Sequence, residues 1–315
     1  MKRVCFFHRA DKDGHCAGEI VRRACKGEVE MIGINYGDDY EKVVFANVDN
    51  KTEVVMVDFC MQPWDLMERL RTSCKRLLWI DHHREAIKSY EEQLTPFKAL
   101  EGYQEEGQAG CELTWKWFHP SENMPHAVYL IGRYDVWAWE DVKDALEFQM
   151  GLRMEETWPG KNDALWDSLL VVPSNNVGSQ MKTVGELRRI IEQGRTVLRY
   201  KRQQDEIHIK SAGFNLSWRG RTWLAINEMF NNSQLFDSAY DSKKHHGMLA
   251  FGWRHDQWNV TLYTTREDVN VGEIATAMGK ELGTGGGGHP KAAGFRANEL
   301  PFDLVKDKVE WFKDE

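Results

Sequence analysis

The segment LLWIDHHR, residues 77–84, decides the fold of the first half of this 315-residue chain. Four apolar residues end abruptly in an acid and two histidines, Asp81, His82 and His83. The same pattern occurs twice upstream, where VCFF leads into His8 and VVMV leads into Asp58. Short, continuous apolar runs are typical of strands buried on both faces of a parallel sheet. We therefore expect an open parallel sheet flanked by helices.

The rest of the chain extends this pattern. Apolar periodicity predicts strands at residues 3–8, 29–35, 53–58 and 76–81, and helices at 15–25, 63–73, 109–118, 125–134, 140–150 and 187–209. Further along it predicts strands at 221–227, 247–253 and 258–264, a helix at 271–281 and a final strand around Phe295. The fold class is α/β, with a parallel-sheet N-terminal domain (1–180), a helical linker (181–217) and a smaller α/β C-terminal domain (218–315).

Composition indicates a soluble globular protein, since 42% of residues are hydrophobic and 29% are charged. No run approaches the roughly 18 apolar residues of a membrane span. The N-terminus lacks the apolar core of a signal peptide, so we expect a cytoplasmic protein without membrane contact. The six cysteines fall at irregular spacings without a C-x-x-C pair, which predicts reduced thiols rather than a zinc or redox site.

The net charge of the chain argues against binding of a long nucleic-acid strand. The formal net charge is −8, whereas nucleic-acid-binding domains are usually basic. The exception is the segment 181–221, which holds ten Lys or Arg residues and four Asp or Glu residues. That segment is either a solvated linker helix or a track for nucleic acid, and the linker interpretation is favoured.

The acids and histidines follow strand ends. In an open parallel sheet, ligands bind outside the carboxyl ends of the strands, so side chains from three strands should converge there. Crowded carboxylates raise one another's pKa, and a pair of divalent cations would relieve that repulsion. Imidazole and carboxylate ligands together suit manganese, iron or zinc, and two such ions can activate water and clamp a phosphoryl group.

Each residue also has a simpler interpretation when it is taken alone. Asp11 and Asp13 lie beside Gly14 and could form a polar turn that caps the next helix. Asp58 could be a turn residue at a strand end, and a His-His pair after a strand is often structural. Their joint occurrence at three strand ends favours a metal site.

Five motifs, in order, give the chain a family resemblance. HRADKDGHCAG (8–18), VVMVDF (54–59), WIDHHR (79–84), IGRYDVW (131–137) and GGGGHPKAAGF (285–295) resemble the motifs of DHH phosphoesterases with a DHH-associated substrate-binding domain. The resemblance spans nearly the whole chain. It implies a two-metal site, most simply of manganese ions, and hydrolysis of phosphate esters by a hydroxide that both metals activate.

The resemblance also implies roles by position. One metal would be held by His8, Asp11 and Asp58, and the other by Asp13, Asp58, His82 and Asp135, with Asp58 bridging. His83 would contact the scissile phosphate, and Asp81 would orient the histidines from behind. The spacing between His8 and Asp11 differs among family branches. The assignment of Asp11 and Asp13 to particular metals is therefore less fixed than that of Asp58.

The glycine run predicts a substrate-binding segment in the second domain. Residues without Cβ allow close approach, and successive amides can form an anion nest. Gly286, Gly287, Gly288, His289 and Lys291 would face the metals across an interdomain cleft. Many relatives carry an arginine where this chain has Tyr263, and Arg266 is a candidate replacement. Trp137 or Trp139 could stack a base, although core packing is the simpler interpretation.

The leading functional hypothesis is hydrolysis of dinucleotides and other very short oligonucleotides to 5′-mononucleotides. A phosphatase for 3′-phosphoadenosine 5′-phosphate and a cyclic-dinucleotide phosphodiesterase are the alternatives, and an inactive nucleotide-binding sensor is a remote one. The expected partner is a short oligonucleotide or nucleotide, and the chain would be a monomer or a homodimer. The glycine signature disfavours the pyrophosphatase branch of the family.

Overall fold

A computed structural model describes residues 2–93, 99–171, 177–229, 232–304 and 309–311, with only the backbone of 177–180 and 309–311. The chain divides into two compact units, Met1–Leu198 and Arg199–Glu315. The division falls inside one long helix, α9 (Val177–Ala212). The domain limits at 180 and 218 remain predictions.

The first unit contains a four-stranded parallel sheet, as the apolar runs predict. Its strands are β1 (Arg3–His8), β2 (Glu30–Ile34), β3 (Glu53–Val57) and β4 (Arg76–Ile80). Their spatial order is β2-β1-β3-β4, and all three pairings are parallel. The chain therefore moves to one side of β1 to make β2 and to the other side to make β3. The carboxyl ends of β1 and β3 flank this reversal, where α/β proteins bind ligands.

Side chains of each strand alternate between two buried faces. Phe7, Val57 and Ile80 belong to one apolar cluster, whereas their neighbours Phe6, Met56 and Trp79 belong to another. Helices cover both faces: α1 (Lys12–Ala24), α2 (Tyr40–Val43), α3 (Asp65–Ser73), α4 (Arg84–Gln93), α5 (Gly110–Phe118), α6 (His126–Asp135), α7 (Ala145–Leu152) and α8 (Asp163–Leu169). The predicted parallel-sheet α/β class is confirmed.

The turn from β1 into α1 has a local cause. Asp11 is the N-cap of α1, and its carboxylate accepts a hydrogen bond of 2.9 Å from the amide of Gly14. A Cβ atom on Gly14 would lie 2.0 Å from the carbonyl oxygen of His8. Only glycine therefore permits the chain to turn this tightly. The tight turn brings Asp11 and Asp13 back beside the end of β1.

The second unit is a mixed sheet, with helix α10 (Val271–Leu282) packed on one face and Ile209 of α9 packed on the other. Its strands are β5 (Phe214–Trp218), β6 (Arg221–Asn227), β7 (Gly247–Arg254), β8 (Gln257–Tyr263), β9 (Gly286–Gly288), β10 (Ala292–Ala297) and β11 (Val309–Trp311). They lie in the order β11-β5-β6-β7-β8-β10-β9. Helix α10 buries Val271, Ala275 and Met278 in the core of this unit.

Glycines allow α10 to lie directly on β9. A Cβ on Gly279 would come within 2.2 Å of the amide nitrogen of Gly286, and a Cβ on Gly286 would come within 2.3 Å of the Ala275 carbonyl oxygen. The helix ends at Gly283, whose φ of 67° is left-handed. Part of the glycine run therefore serves helix–strand packing.

Most of the basic segment lies on α9, and acids neutralise several of its cations. Arg189 pairs with Glu155 and Glu186, and Arg195 pairs with Asp144 and Glu192. Lys201 and Lys210 pair with acids one helical turn away, Asp205 and Glu206. This pairing favours a solvated helix over a nucleic-acid track.

All six cysteines are free thiols. Within the described residues, none of the helices combines the length and the apolarity that crossing a bilayer requires.

Candidate metal centre

Three neighbouring strand ends bring acids and histidines together at one edge of the parallel sheet. His8 closes β1, Asp58 follows β3, and Asp81, His82 and His83 follow β4. All are buried or half-buried. Asp58 has a left-handed φ of 54°, which points the chain away from β3 immediately after the carboxylate is placed. Asp is one of the few residues with a side chain that adopts this backbone conformation at modest cost.

The first potential metal-binding group is His8, Asp11 and Asp58. His8 Nδ1 lies 2.8 Å from Asp11 Oδ2 and 3.7 Å from Asp58 Oδ2. Despite this proximity, Nδ1 of His8 and Oδ2 of Asp58 are buried and have no well-aligned hydrogen-bond partner among the described residues. Buried polar atoms are normally satisfied by well-aligned partners, so this poorly aligned group could hold a cation.

The second potential metal-binding group is Asp13, His82 and Asp135, the last from the end of α6. His82 Nε2 lies 3.7 Å from Asp13 Oδ2 and 3.3 Å from Asp135 Oδ2. The same nitrogen lies 3.1 Å from Asp58 Oδ1. Asp58 therefore faces the first group with one oxygen and the second group with the other, as a bridging ligand would.

Asp81 supports the two histidines that follow it. Its Oδ1 atom accepts hydrogen bonds from the amides of His82 and His83, at 2.8 and 3.2 Å. The same atom accepts a bond of 2.7 Å from Nδ1 of His83. Asp81 is fully buried and could also join a third ligand group with Asp58, His82 and His83. Asp81 therefore holds the ring of His83, and its role in orienting both histidines remains a prediction.

Protons balance part of the negative charge when no ion is bound. Burial lowers the pKa of His8 and His82, but contacts with the surrounding aspartates outweigh it and raise both pKa values to about 10. Burial and the charge of Asp13 raise the pKa of Asp135 to about 7. Burial and the charge of Asp58 also raise the pKa of Asp13. Such a set of mutually repelling carboxylates is a site that cations would stabilise.

The first residues of α5 hold Asp13 in position at the candidate metal centre. Its first amides, those of Gly110 and Cys111, donate to the two oxygens of Asp13 at 2.7 and 2.8 Å. The positive end of a helix dipole stabilises a carboxylate in this position. A Cβ on Gly110 would lie 2.7 Å from Cβ of Asp58 and 3.0 Å from Asp13 Oδ2. Gly110 was not identified from the sequence, because its partners Asp13 and Asp58 are far from it along the chain.

A fourth strand end also contributes. Asn35 follows β2, and its Oδ1 atom lies 3.3 Å from Nε2 of His8, on the opposite side of the ring from the carboxylates. Asn35 thereby orients His8. Next to it, the ring of Tyr36 packs near His8 and Phe59, with centroids 5.9 and 4.6 Å away. The strand-end rule points to both positions, although neither residue belongs to the five motifs of the sequence.

The predicted substrate residues of the second unit are in varied environments. Gly286, Gly287 and Gly288 form the edge strand β9 rather than a nest. Arg266 pairs with Asp268 and donates to the Ser242 carbonyl. Lys291 pairs with Glu267 and donates to the Arg266 carbonyl. Substrate contact by these residues and by His289 remains a prediction.

The two candidate stacking residues are distinguished by their exposure. Trp137 is 84% exposed, with a left-handed φ of 59°, whereas Trp139 packs against the main core of the first unit. Tyr263, at the position where relatives carry arginine, packs against the smaller apolar cluster of the second unit.

Comparison with known proteins identifies the C-terminal region. Residues 231–314 match the DHHA1 domain family. This match confirms the expected resemblance to DHH phosphoesterases that carry a DHH-associated domain. A search of curated proteins finds no match to the sequence.

Several solved structures are similar to the chain. A pGpG-specific phosphodiesterase from Vibrio cholerae is 10% identical, with a TM-score of 0.47 over 94% of this chain and 93% of that chain. An exopolyphosphatase-related protein from Bacteroides fragilis is 12% identical, with a TM-score of 0.44 over 97% of this chain and 88% of that chain. The C-Ala domain of Aquifex aeolicus alanyl-tRNA synthetase is 22% identical, with a TM-score of 0.21 over 26% of this chain and 79% of that chain.

Proposed function

We propose that the protein is a manganese-dependent phosphoesterase that hydrolyses dinucleotides and other very short oligonucleotides to 5′-mononucleotides. One observation carries the proposal. Two ligand groups lie side by side, and Asp58 faces both, with an orphaned oxygen on the side of His8. This arrangement suits two divalent ions that share a carboxylate.

The chain's own atoms fit such a pair of ions. His8, Asp11 and Asp58 would hold one ion, and Asp13, Asp58, His82 and Asp135 would hold the other. Mixed imidazole and carboxylate donors favour manganese, iron or zinc over calcium. When bound, two ions would activate a water molecule and neutralise charge on the phosphoryl group.

His83 is the residue that would contact the phosphate. Asp81 holds its Nδ1 atom, which fixes the ring and leaves the Nε2 atom for another partner. The side chain is 36% exposed, so a substrate can reach it from solvent. A hydrogen bond from His83 to a non-bridging phosphate oxygen would orient the ester and stabilise the charge that develops on it.

The DHHA1 domain supplies the second part of the proposal. β9 lies at the edge of its sheet among the described strands, and an edge strand presents unpaired amides. Gly286, Gly287 and Gly288 have no side chains that could obstruct a ligand, and His289 follows immediately. The amide of Gly286 lies against Gly279 of α10, so Gly287 and Gly288 are the better candidates for contact through the backbone. This segment would bind the substrate through a terminal phosphate or the adjacent nucleotide.

A substrate panel tests the proposal. The full chain, stripped with a chelator and reloaded with manganese, is given a 5′-phosphorylated dinucleotide, a ten-residue RNA, cyclic dinucleotides and 3′-phosphoadenosine 5′-phosphate. Loss of each substrate and the identity of its products are followed by chromatography. The dinucleotide is expected to react fastest, and the metal-free protein is expected to be inactive.

Other outcomes would replace the proposed substrate or the proposed class. Faster turnover of the cyclic dinucleotides or of 3′-phosphoadenosine 5′-phosphate would move the function to those alternatives. Binding of nucleotides without hydrolysis, under manganese, magnesium and zinc alike, would identify a sensor.

A further inference from the structure

Tyr36 places an exposed aromatic ring beside the candidate metal centre. It follows Asn35 at the end of β2 and is 49% exposed, which is unusual for a large ring so near a buried cluster. Its centroid lies 5.9 Å from that of His8, at an interplanar angle of 69°. Neither the metal-binding groups nor the proposed role of the DHHA1 domain explains this ring.

The ring is held in place before any substrate arrives. Phe59 is fully buried directly after Asp58, and its ring lies 4.6 Å from that of Tyr36 at 38°. Packing on Phe59 covers part of the tyrosine ring and leaves the remainder open to solvent. Burial and the charge of Asp81 raise the pKa of the Tyr36 phenol, so the ring also lies near the carboxylates.

The loop that carries the ring is tied down by hydrogen bonds. The amide of Tyr36 donates to Oδ1 of Asn35 at 2.8 Å, and the amide of Asn35 donates to Oδ2 of Asp38 at 2.9 Å. Arg9 in turn pairs with Asp38 through both guanidinium nitrogens. Because the loop is already ordered, stacking on Tyr36 would cost little conformational entropy.

We propose that the open part of the Tyr36 ring stacks on the nucleobase joined to the scissile phosphate. The site would then select esters that carry a planar base and discriminate against plain sugar phosphates. This proposal deepens the proposed function and rests on it, since the phosphate must lie at the His8 side of the metal centre. Stacking of this kind accepts any base, because every base has a π-face.

A competing explanation is that Tyr36 only supports His8. Both explanations predict damage when the ring is removed, so the substrate must be varied together with the protein. Stacking predicts that the damage depends on the base, whereas support of His8 predicts equal damage on every substrate.

The experiment compares Tyr36→Leu and Tyr36→Phe on a 5′-phosphorylated dinucleotide and on versions with one abasic position. With the normal dinucleotide, Tyr36→Leu should raise KM about tenfold to a hundredfold, the range seen when a stacking ring is lost. Tyr36→Phe should stay close to the unmodified protein. The dinucleotide that lacks the base stacked on Tyr36 should bind the unmodified protein poorly. Its affinity should not fall further in Tyr36→Leu. Tyr200→Leu, at an exposed tyrosine on α9, is the matched control and should change nothing.

Three results would overturn the inference. They are equal losses on normal and abasic substrates, loss of bound manganese in Tyr36→Leu, and an equal defect in Tyr36→Phe. A binding arm keeps the test independent of the proposed reaction. Calorimetry on the manganese-loaded protein compares adenosine 5′-monophosphate with ribose 5-phosphate. If the protein binds adenosine 5′-monophosphate more tightly than ribose 5-phosphate, and this difference disappears in Tyr36→Leu, stacking is supported even if no dinucleotide is hydrolysed. If the unmodified protein shows no such difference, stacking is rejected.

Discussion

Asp58 combines three features that a purely structural residue has no need of. It is 1% exposed, it has a left-handed backbone, and one of its oxygens is orphaned. Strained backbone conformations persist where the surrounding structure enforces them, and they concentrate at functional sites. At this position the strain places one carboxylate between His8 and His82.

Asp58→Asn is expected to abolish turnover and to leave the fold intact. Asparagine has the same shape and tolerates the same φ, but its amide binds metal far less well than a carboxylate. The loss of kcat should exceed the roughly tenfold to hundredfold seen when only an outer-shell partner is removed. Rates, metal analysis and far-UV circular dichroism measure the effect. Asp167→Asn, at an exposed ion pair with Arg23, is the control. Near-normal activity with two bound ions would contradict the ligand assignment.

Manganese binding is expected to release protons. An ion requires neutral imidazole, yet the aspartates raise the pKa of His8 and His82 to about 10 in the metal-free protein. Both rings are then protonated at about pH 8, so each ion displaces a proton and metal affinity rises as the pH is raised. Calorimetry in two buffers of different ionisation enthalpy counts the protons. A count of zero would show that the rings were already neutral.

The strand-end rule identified some of the candidate ligands from the sequence and not others. His8, Asp58 and the Asp81–His83 segment follow apolar runs, so their convergence could be predicted. Asp135 ends a helix and was assigned only through the family resemblance. The hydrogen bonds of Asp13 to the start of α5 link residues about a hundred positions apart, and no local pattern encodes such a contact.

Helix α5 shows how one element can limit the geometry of the centre. Gly110→Ala adds one methyl group where Asp58 and Asp13 leave no room, so the carboxylates must move. We expect metal affinity and turnover to fall at least about tenfold, as for a disturbed ligand shell. Gly185→Ala, inside α9 with open space around it, is the matched control. It should keep full activity and gain about 1 kcal/mol of helix stability. Thermal unfolding and metal titration would compare the stability and the metal affinity of the two variants. Equal activity of Gly110→Ala and Gly185→Ala would contradict the prediction.

The β9 edge strand predicts a separation of binding from metal loading. His289→Ala should weaken substrate binding by about 1.5–3 kcal/mol, the value of a hydrogen bond to a charged group. Its manganese content should stay unchanged, because His289 lies in the second unit, outside the ligand groups. His208→Ala, on the exposed side of α9 in the same unit, is the control. If KM, kcat and nucleotide affinity are all unaltered, His289 does not contact the substrate.

Elements with a strong apolar period were predicted closely, and those without one were not. The bounds of β1 and β6 agree with the prediction, and α10 differs by a single residue. β9 was missed because three glycines carry no strand propensity, and the strand forms only because α10 and β10 hold it. Tertiary packing, rather than local sequence, decides such a segment.

At the scale of the whole molecule, charge predicts substrate length. The net charge is −8, and acids pair with cations along the basic helix α9. A long strand would therefore meet repulsion instead of the counterion release that drives nucleic-acid binding. Initial rates on 5′-labelled RNAs of two, three, five and ten residues, at one salt concentration, should fall steeply with length. Rates that stay level or rise with length would favour an exonuclease.

The spread of the ligands along the chain fixes when the centre can first exist during synthesis. All four strands of the parallel sheet are complete by Ile80, yet the last ligand, Asp135, ends α6 more than fifty residues later. All four strands of the sheet are therefore synthesised well before the second potential metal-binding group is complete. If these residues bind two ions as proposed, the second ion could bind only after Asp135 has been synthesised. The ions available in the cell at that moment, as well as the ligand chemistry, would then decide which metal binds.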